Sequence, residues 1–262
     1  MQRWGQLACA LGLALATITA GAQQTADKPA AQTAQKPQTS PSGHANNPYW
    51  NEHDRQLLFD FPYLAAFHDK DISLGPPKPG EDRVVFMGDS ITQGWDLEKY
   101  FPGKPYVNRG ISGQTTPQML VRFRQDVIHL QPRVVVILAG TNDLAGNTGP
   151  ETPEQIEDNL ASMSDLAHAN GIKVVLCSIL PAYDYPWHPN TFPAHKIDEI
   201  NTWLKNYAAE KGYTYVDFHT PMKDARDGLP DNLSKDGVHP KPAGFEIMSK
   251  LVETGIEKAL QE

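Results

Sequence analysis

Four short segments concentrate the residues able to do chemistry: Gly88-Asp89-Ser90-Ile91-Thr92, Asn108-Arg109-Gly110-Ile111-Ser112-Gly113-Gln114-Thr115, Gly140-Thr141-Asn142-Asp143 and Asp236-Gly237-Val238-His239-Pro240. Together they hold the parts needed for acyl transfer. A serine at a strand-to-helix turn exposes its hydroxyl and a backbone N–H, and needs a base; His239 is the candidate. That imidazole needs a carboxylate on its other nitrogen, and Asp236, three residues earlier, can reach back to it. A tetrahedral intermediate needs donors aimed at its oxyanion. The N–H groups of Ser90 and Gly113 and the side-chain amide of Asn142 are the expected set. Glycine at 113 lets backbone approach a substrate closely and tolerates unusual φ.

Taken singly, each segment is an ordinary turn or loop; all four in this order, each following its own strand, argue for one site. Competing motifs fail on residue identity. The first segment is not a G-x-S-x-G elbow, because Thr92 replaces the last glycine. There is no H-E-x-x-H, and His188 and His195 have no companions for a ligand set, so they are expected at the surface and neither metal nor cofactor is expected. Phosphate-loop and dinucleotide fingerprints are absent. The aromatics Tyr183, Tyr185 and Trp187 follow the fourth expected strand on the same rim. Two readings stand side by side: they line a pocket wall suited to a sugar ring or an acyl chain, or they pack on their own domain. Trp95 is a similar case. Asp89 and Asp143 are expected to bond neighbouring turn backbone.

The elements that must position these residues are legible from periodicity. Short apolar runs at 83–87, 106–108, 134–139, 172–180 and 213–218 read as strands. Between them lie stretches of helical period. Thr116-Pro117 opens one with Leu120, Phe123, Val127 and Leu130 inward. Thr152-Pro153-Glu154-Gln155 is a capping box starting a helix that buries Ile156, Leu160, Met163 and Leu166 and ends at Asn170-Gly171. A third runs through Ile197, Ile200, Leu204 and Tyr207 to Gly212, and a last spans 242–260. Strands alternating with crossover helices make a parallel sheet with helices on both faces, whose ligand site lies beyond the carboxyl ends of the strands. The four segments fall there.

The same residues carry a family resemblance. The segments resemble the four motif blocks of the SGNH (GDSL) hydrolases, over most of the chain from Val84 to Pro240. The Ser, Gly, Asn and His of that name match Ser90, Gly113, Asn142 and His239, and the family's triad aspartate matches Asp236. The wording around the blocks is similar to the branch containing platelet-activating-factor acetylhydrolase subunits and lysophospholipase-like esterases. The resemblance implies a flavodoxin-like three-layer α/β/α fold and metal-free hydrolysis of esters or thioesters. Two departures appear: Ile91 stands where the namesake motif has Leu, and Gln114 where many members have Asp. The second puts any supporting role of that carboxylate in doubt.

Composition and the N-terminus bound the setting. Of 262 residues, 40% are hydrophobic and 21% charged, with a formal net charge of −8. This suits a globular protein and gives no broad attraction to nucleic acid or anionic lipid. Two cysteines, Cys9 and Cys177, exclude a disulfide-stapled scaffold; Cys177 is expected to be a small core residue. Arg3, the apolar run 7–20 and Ala20-Gly21-Ala22 read as a secretory signal peptide over 1–22, too short to span a bilayer. Residues 23–48, lacking large apolar side chains, read as a disordered linker, and 49–262 as one hydrolase domain. The expectation is a secreted or periplasmic serine esterase acting on short acyl groups, such as acetyl, in small-molecule or carbohydrate-linked esters. The alternatives are a lysophospholipase or thioesterase for longer acyl chains, and a non-catalytic ligand-binding protein on the same fold.

Overall fold

The computed structural model describes residues 52–262, so the expected leader and linker, 1–48, lie outside the described residues. Five strands, β1 (Val84–Gly88), β2 (Tyr106–Gly110), β3 (Val134–Leu138), β4 (Lys173–Cys177) and β5 (Thr214–Val216), form one parallel sheet in the order β2-β1-β3-β4-β5. The helices are α1 (Glu52–Phe59), α2 (His68–Leu74), α3 (Ser90–Gln93), α4 (Leu97–Tyr100), α5 (Thr116–Asp126), α6 (Thr141–Leu144), α7 (Pro153–Ala169), α8 (Ala194–Lys211), α9 (His219–Met222) and α10 (Pro242–Gln261).

Alternation along each strand divides the core in two. Val85, Met87, Val135, Ile137, Val174 and Leu176 pack with Met119 and Phe123 of α5, Ile156 and Leu160 of α7, and Ile197 and Leu204 of α8. Val84, Phe86, Val134, Val136, Val175 and Cys177 pack on the other face with Met248, Val252 and Ile256 of α10. A strand covered on both faces buries every residue, which is why β1 and β3 are apolar runs without polar alternation. This is the expected three-layer α/β/α fold, in the flavodoxin-like strand order. The order reverses between β1 and β3, so the chain segments leaving those two strands diverge and open a crevice.

Element lengths differ from the periodicity where hydrogen bonding overrides it. β2 runs on to Gly110, because Gly110 pairs with Gly88. The helix expected to continue through Leu130 ends at Asp126; Val127 takes φ −126° and a short 3₁₀ turn, Ile128–Leu130, follows. Val127 and Leu130 stay buried, so the apolar spacing was set by burial and not by one continuous helix. β4 stops at Cys177; Ser178 N still donates to Val216 O (2.9 Å), and the Ile179 backbone is then bonded by a side chain: Asn201 Oδ1 accepts from Ile179 N (2.7 Å) and Asn201 Nδ2 donates to Ile179 O (3.0 Å). Leu166 and Tyr207 are only partly buried.

On α5, Arg122 is fully buried in a position where an apolar stripe has no use for a charge. Its guanidinium donates to Gly88 O (3.1 Å) and Arg109 O (2.8 Å) at the ends of β1 and β2, to Gln114 Oε1 (2.6 Å) and to Asp126 (2.9 Å). Burial pulls its pKa down and the Asp126 carboxylate opposes that shift. Removing one member of such a pair leaves the other charge buried and alone, which costs about 3–5 kcal/mol. Arg122→Leu is therefore expected to lower the denaturant midpoint by a corresponding amount. An unchanged midpoint in equilibrium unfolding would show that Asp126 finds another partner.

Candidate active site

Ser90 begins α3 immediately after β1. Asp89 caps that helix, its Oδ1 accepting from Ile91 N at 2.8 Å. Burial pushes the Asp89 carboxyl up to about 6, against the Ile91 N–H and the nearby His239, which act to lower it. As the first helical residue, Ser90 has an N–H with no partner inside the helix. The turn lies directly on the end of β2: a Cβ on Gly110 would meet Gln93 N at 2.1 Å and Asp89 O at 2.7 Å. Only glycine permits that approach. Asn108 fastens the same contact, donating to Thr92 O (2.6 Å) and Trp95 O (3.0 Å).

The structure brings Ser90, His239 and Asp236 into one line. Ser90 Oγ lies 2.9 Å from His239 Nε2, and His239 Nδ1 lies 2.7 Å from Asp236 Oδ2. Asp236 Oδ1 accepts from the backbone N–H of Val238 (3.0 Å) and His239 (2.8 Å). Burial alone would raise the Asp236 pKa, but the hydrogen bonds from His239 and Val238 outweigh it and hold the carboxyl below its usual range. An ionised Asp236 accepts a hydrogen bond from Nδ1–H and so fixes the proton there, which leaves Nε2 as the acceptor facing the serine hydroxyl. Ser234 braces the loop from beneath, accepting from Gly237 N (2.9 Å) and donating to His239 O (3.0 Å).

The three expected oxyanion donors come from three strand ends. The turn after β2 is closed by Gln114 N donating to Ile111 O (3.3 Å), which leaves the Gly113 N–H outside the turn's own bond, and Gly113 takes φ 77°. Asn142 follows β3 on α6; its Nδ2 donates one hydrogen to Gln114 O (3.0 Å), leaving the second for a ligand. Gln114 explains its own departure from Asp. Its Oε1 accepts from Arg122 while its Nε2 donates to Pro62 O (2.8 Å), a double role that a carboxylate cannot fill.

A family model described as GDSL-like Lipase/Acylhydrolase matches residues 86–247, from β1 into α10 and across all four segments. The chain belongs to that family. It is 29% identical over 247 residues to an acetylxylan esterase of Xylanibacter ruminicola, covering 79% of this chain and 48% of that protein. It is 32% identical over 168 residues to the esterase TesA of Pseudomonas aeruginosa, covering 62% of this chain and 77% of TesA. Among solved structures, a GDSL-like lipase from Bacteroides thetaiotaomicron superposes with a TM-score of 0.74 at 43% identity, covering 76% of this chain and all of that one. The chain spans about half the length of the acetylxylan esterase.

Within this GDSL-like domain the rim after β4 divides the expected pocket residues. Trp187 is 43% exposed, its ring 5.9 Å from that of His239. Tyr183 is 48% exposed and lines a cleft with Pro186, Pro189, Arg226, Asp231 and Asp236. Tyr185 borders the same cleft with a ring that is fully buried, tilted by 32° against that of Trp187 with centroids 5.3 Å apart. Trp95 is not at the site. It is 2% exposed in the core on the α10 side, edge-on to Phe86 at 5.6 Å and donating to Ser249 Oγ at 2.9 Å. The turn after α3 carries it off the rim and beneath the sheet's edge, where its large apolar area is buried. Cys177 is buried, and burial raises its thiol pKa, as befits a core residue.

Two polar residues that the motif pattern does not flag also belong to the site. Arg122 joins the two strand ends, as described above. Asn147 sits five residues beyond Asn142, donating from Nδ2 to Gly113 O (3.0 Å) and Asn142 Oδ1 (3.1 Å). The only sequence signals are an i, i+4 Arg122–Asp126 pair on the face of Met119 and Phe123, and an Asn-Thr-Gly turn at 147–149.

Asp143, expected to bond neighbouring turn backbone, accepts from the backbone N (2.8 Å) and the Oγ1 (2.5 Å) of Thr116, at the start of α5. Its Oδ2 is buried without a donor, and the Glu151 carboxyl is within hydrogen-bonding reach. Burial pushes Asp143 up to about 7, Thr116 opposing and the Glu151 charge adding. When Asp143 is protonated, its Oδ2–H can donate to the Glu151 carboxyl. A carboxyl that ionises later in the folded than in the unfolded chain contributes stability that is whole below the ordinary aspartate pKa. That contribution is lost as pH rises through the folded value. Asp143→Asn keeps Oδ1 for Thr116 and offers Glu151 a permanent donor. The wild-type Tm is therefore expected to fall relative to that variant between about pH 4 and about 7; parallel Tm–pH curves would contradict the raised Asp143 pKa.

Proposed function

We propose that this chain is a secreted serine esterase that removes short acyl groups, acetyl above all, from a carbohydrate or similarly polar alcohol. The observation that carries the reading is the Ser90–His239–Asp236 line, with hydrogen bonds of 2.9 and 2.7 Å, opening on the rim where Gly113 and Asn142 present donors. His239 Nε2 takes the proton as Ser90 Oγ attacks the acyl carbonyl. The N–H groups of Ser90 and Gly113 and Asn142 Nδ2 receive the oxyanion. His239 then protonates the leaving alcohol, and the acyl-Ser90 ester remains. Water, deprotonated by the same imidazole, hydrolyses that ester and restores the serine.

The rim supports the polar, short-chain side of the reading. Trp187 and Tyr183 expose ring surface beside His239 and Asp236, and Arg226 and Asp231 add hydrogen-bonding groups, a mixture suited to a sugar. The connection after β3, 144–152, is short and polar, with nothing to cover a fatty chain. The likeness to an acetylxylan esterase points the same way. Secretion rests on the leader pattern of residues 1–22; no helix of the described residues is long and apolar enough to cross a membrane.

Acetyl, butyryl, octanoyl and palmitoyl esters of one alcohol test the acyl preference. A long groove would contribute about 0.8 kcal/mol per buried methylene, so kcat/KM would climb with length. The expected maximum is at acetyl, and a maximum at octanoyl or beyond would replace this reading with a lysophospholipase or thioesterase. Ser90→Ala is expected to abolish turnover in a folded protein; unchanged turnover would remove the mechanism. Asn142→Ala is expected to lower kcat by roughly 10²–10³, whereas a change confined to KM would place Asn142 in substrate binding.

A further inference from the structure

We propose that Asn147 is a positioning residue for the oxyanion hole, and that the indole N–H of Trp187 holds it in place. The inference rests on the reading that Asn142 donates to the oxyanion. A donor stabilises developing charge only if it is already aimed when the charge appears. An asparagine carboxamide has a broad, roughly two-fold terminal torsion, so its aim must be supplied by neighbours. Asn142 has two anchors: Nδ2 gives one hydrogen to Gln114 O (3.0 Å), and Oδ1 accepts from Asn147 Nδ2 (3.1 Å).

Asn147 spends its second amino hydrogen on Gly113 O (3.0 Å). One amino group therefore ties the loop that carries the Gly113 N–H to the side chain that carries the Asn142 donor. Its three side-chain bonds allow the Asn147 amide a single orientation. Its backbone N donates to Asn142 O (3.0 Å), and its Oδ1 accepts from Trp187 Nε1 (3.0 Å). Turning the amide over would set Oδ1 against two acceptor oxygens and Nδ2 against the indole donor. Trp187 is itself seated on the buried ring of Tyr185 and lies beside His239. The segment after β4 thus reaches both the base and, through Asn147, two donors supplied from the ends of β2 and β3.

A purely structural staple of the loop would cost stability and act independently of Asn142, which separates the two roles experimentally. The test measures kcat, KM and Tm with p-nitrophenyl acetate for Asn142→Ala, Asn147→Ala, their double variant and Trp187→Phe. Asn147→Ala is expected to lower kcat about tenfold with KM little changed, less than the roughly 10²–10³ of deleting a donor. The double variant is expected to be about as slow as Asn142→Ala alone, because residues acting through one another are not additive. Trp187→Phe, which keeps a ring but removes the N–H, is expected to show a smaller loss of kcat. Asn147→Asp keeps the acceptor for Trp187 and removes both donors, so it is expected to be at least as slow as Asn147→Ala even if the alanine variant folds poorly. Losses that multiply in the double variant, or an Asn147→Asp with unchanged kcat, overturn the proposal. If Asn142→Ala itself leaves kcat unchanged, the oxyanion assignment fails and this inference falls with it. A slow Asn142→Ala beside a fully active Asn147→Ala overturns this inference alone.

Discussion

The guanidinium of Arg122 is the group on which the floor of the site depends. At the ends of β1 and β2, Gly88 O, which also accepts from Ile111 N (3.1 Å), and Arg109 O turn toward one buried cation. The same cation receives Gln114 Oε1 and pairs with Asp126. A lone buried charge is strongly unfavourable, but one with four acceptors is tolerated because its hydration is replaced bond for bond. The consequence is geometric. Gly88 leads into the Ser90 turn and Gln114 follows Gly113, so the nucleophile and one donor are referred to a single point on α5.

The base is held by different means. The loop from Ser234 to His239 braces itself, with Asp236 bonding both backbone and imidazole and Ser234 bonding three backbone groups. It meets the floor through the Ser90–His239 hydrogen bond. A self-braced loop keeps its geometry when it shifts slightly against the sheet, while the strand ends cannot shift without disturbing Arg122. Trp187 lies between the two parts, beside His239 and bonded to Asn147. The rim after β4, anchored by Asp184 accepting from Tyr185, Asn190 and Thr191 N–H groups, is thereby part of the site and more than its wall.

The residues before β1 are fastened to the same framework. Gln114, Gln118 and Gln125 donate to Pro62, Phe61 and Leu64 carbonyls, and Arg109 pairs with Asp71 under Phe67. These are side-chain bonds to irregular backbone, a kind of contact that leaves no periodic trace. The segment lies outside the matched family region, yet it takes up Gln114 where a carboxylate would have repelled the Pro62 carbonyl.

By itself, the sequence determined whatever depends on contiguous residues. Apolar runs specify strands buried on both faces, and the Thr152 capping box starts a helix and Gly212 ends one where they were expected. The four segments carry their chemistry in adjacent side chains, Asp236 and His239 most plainly, because a three-residue span closes on itself without outside help. Tertiary structure alone decided which polar groups are buried and with whom. Arg122 lies on the face of Met119 and Phe123, and the carbonyls that let its charge be buried there come from the ends of two strands. Asp143 takes its donors from Thr116 on another helix, Asn147 is a loop residue until Gly113, Asn142 and Trp187 converge on it, and Trp95 leaves the rim for the core. In each case the deciding partner is far along the chain, and a buried hydrogen bond exists only once both ends have been brought together and water removed.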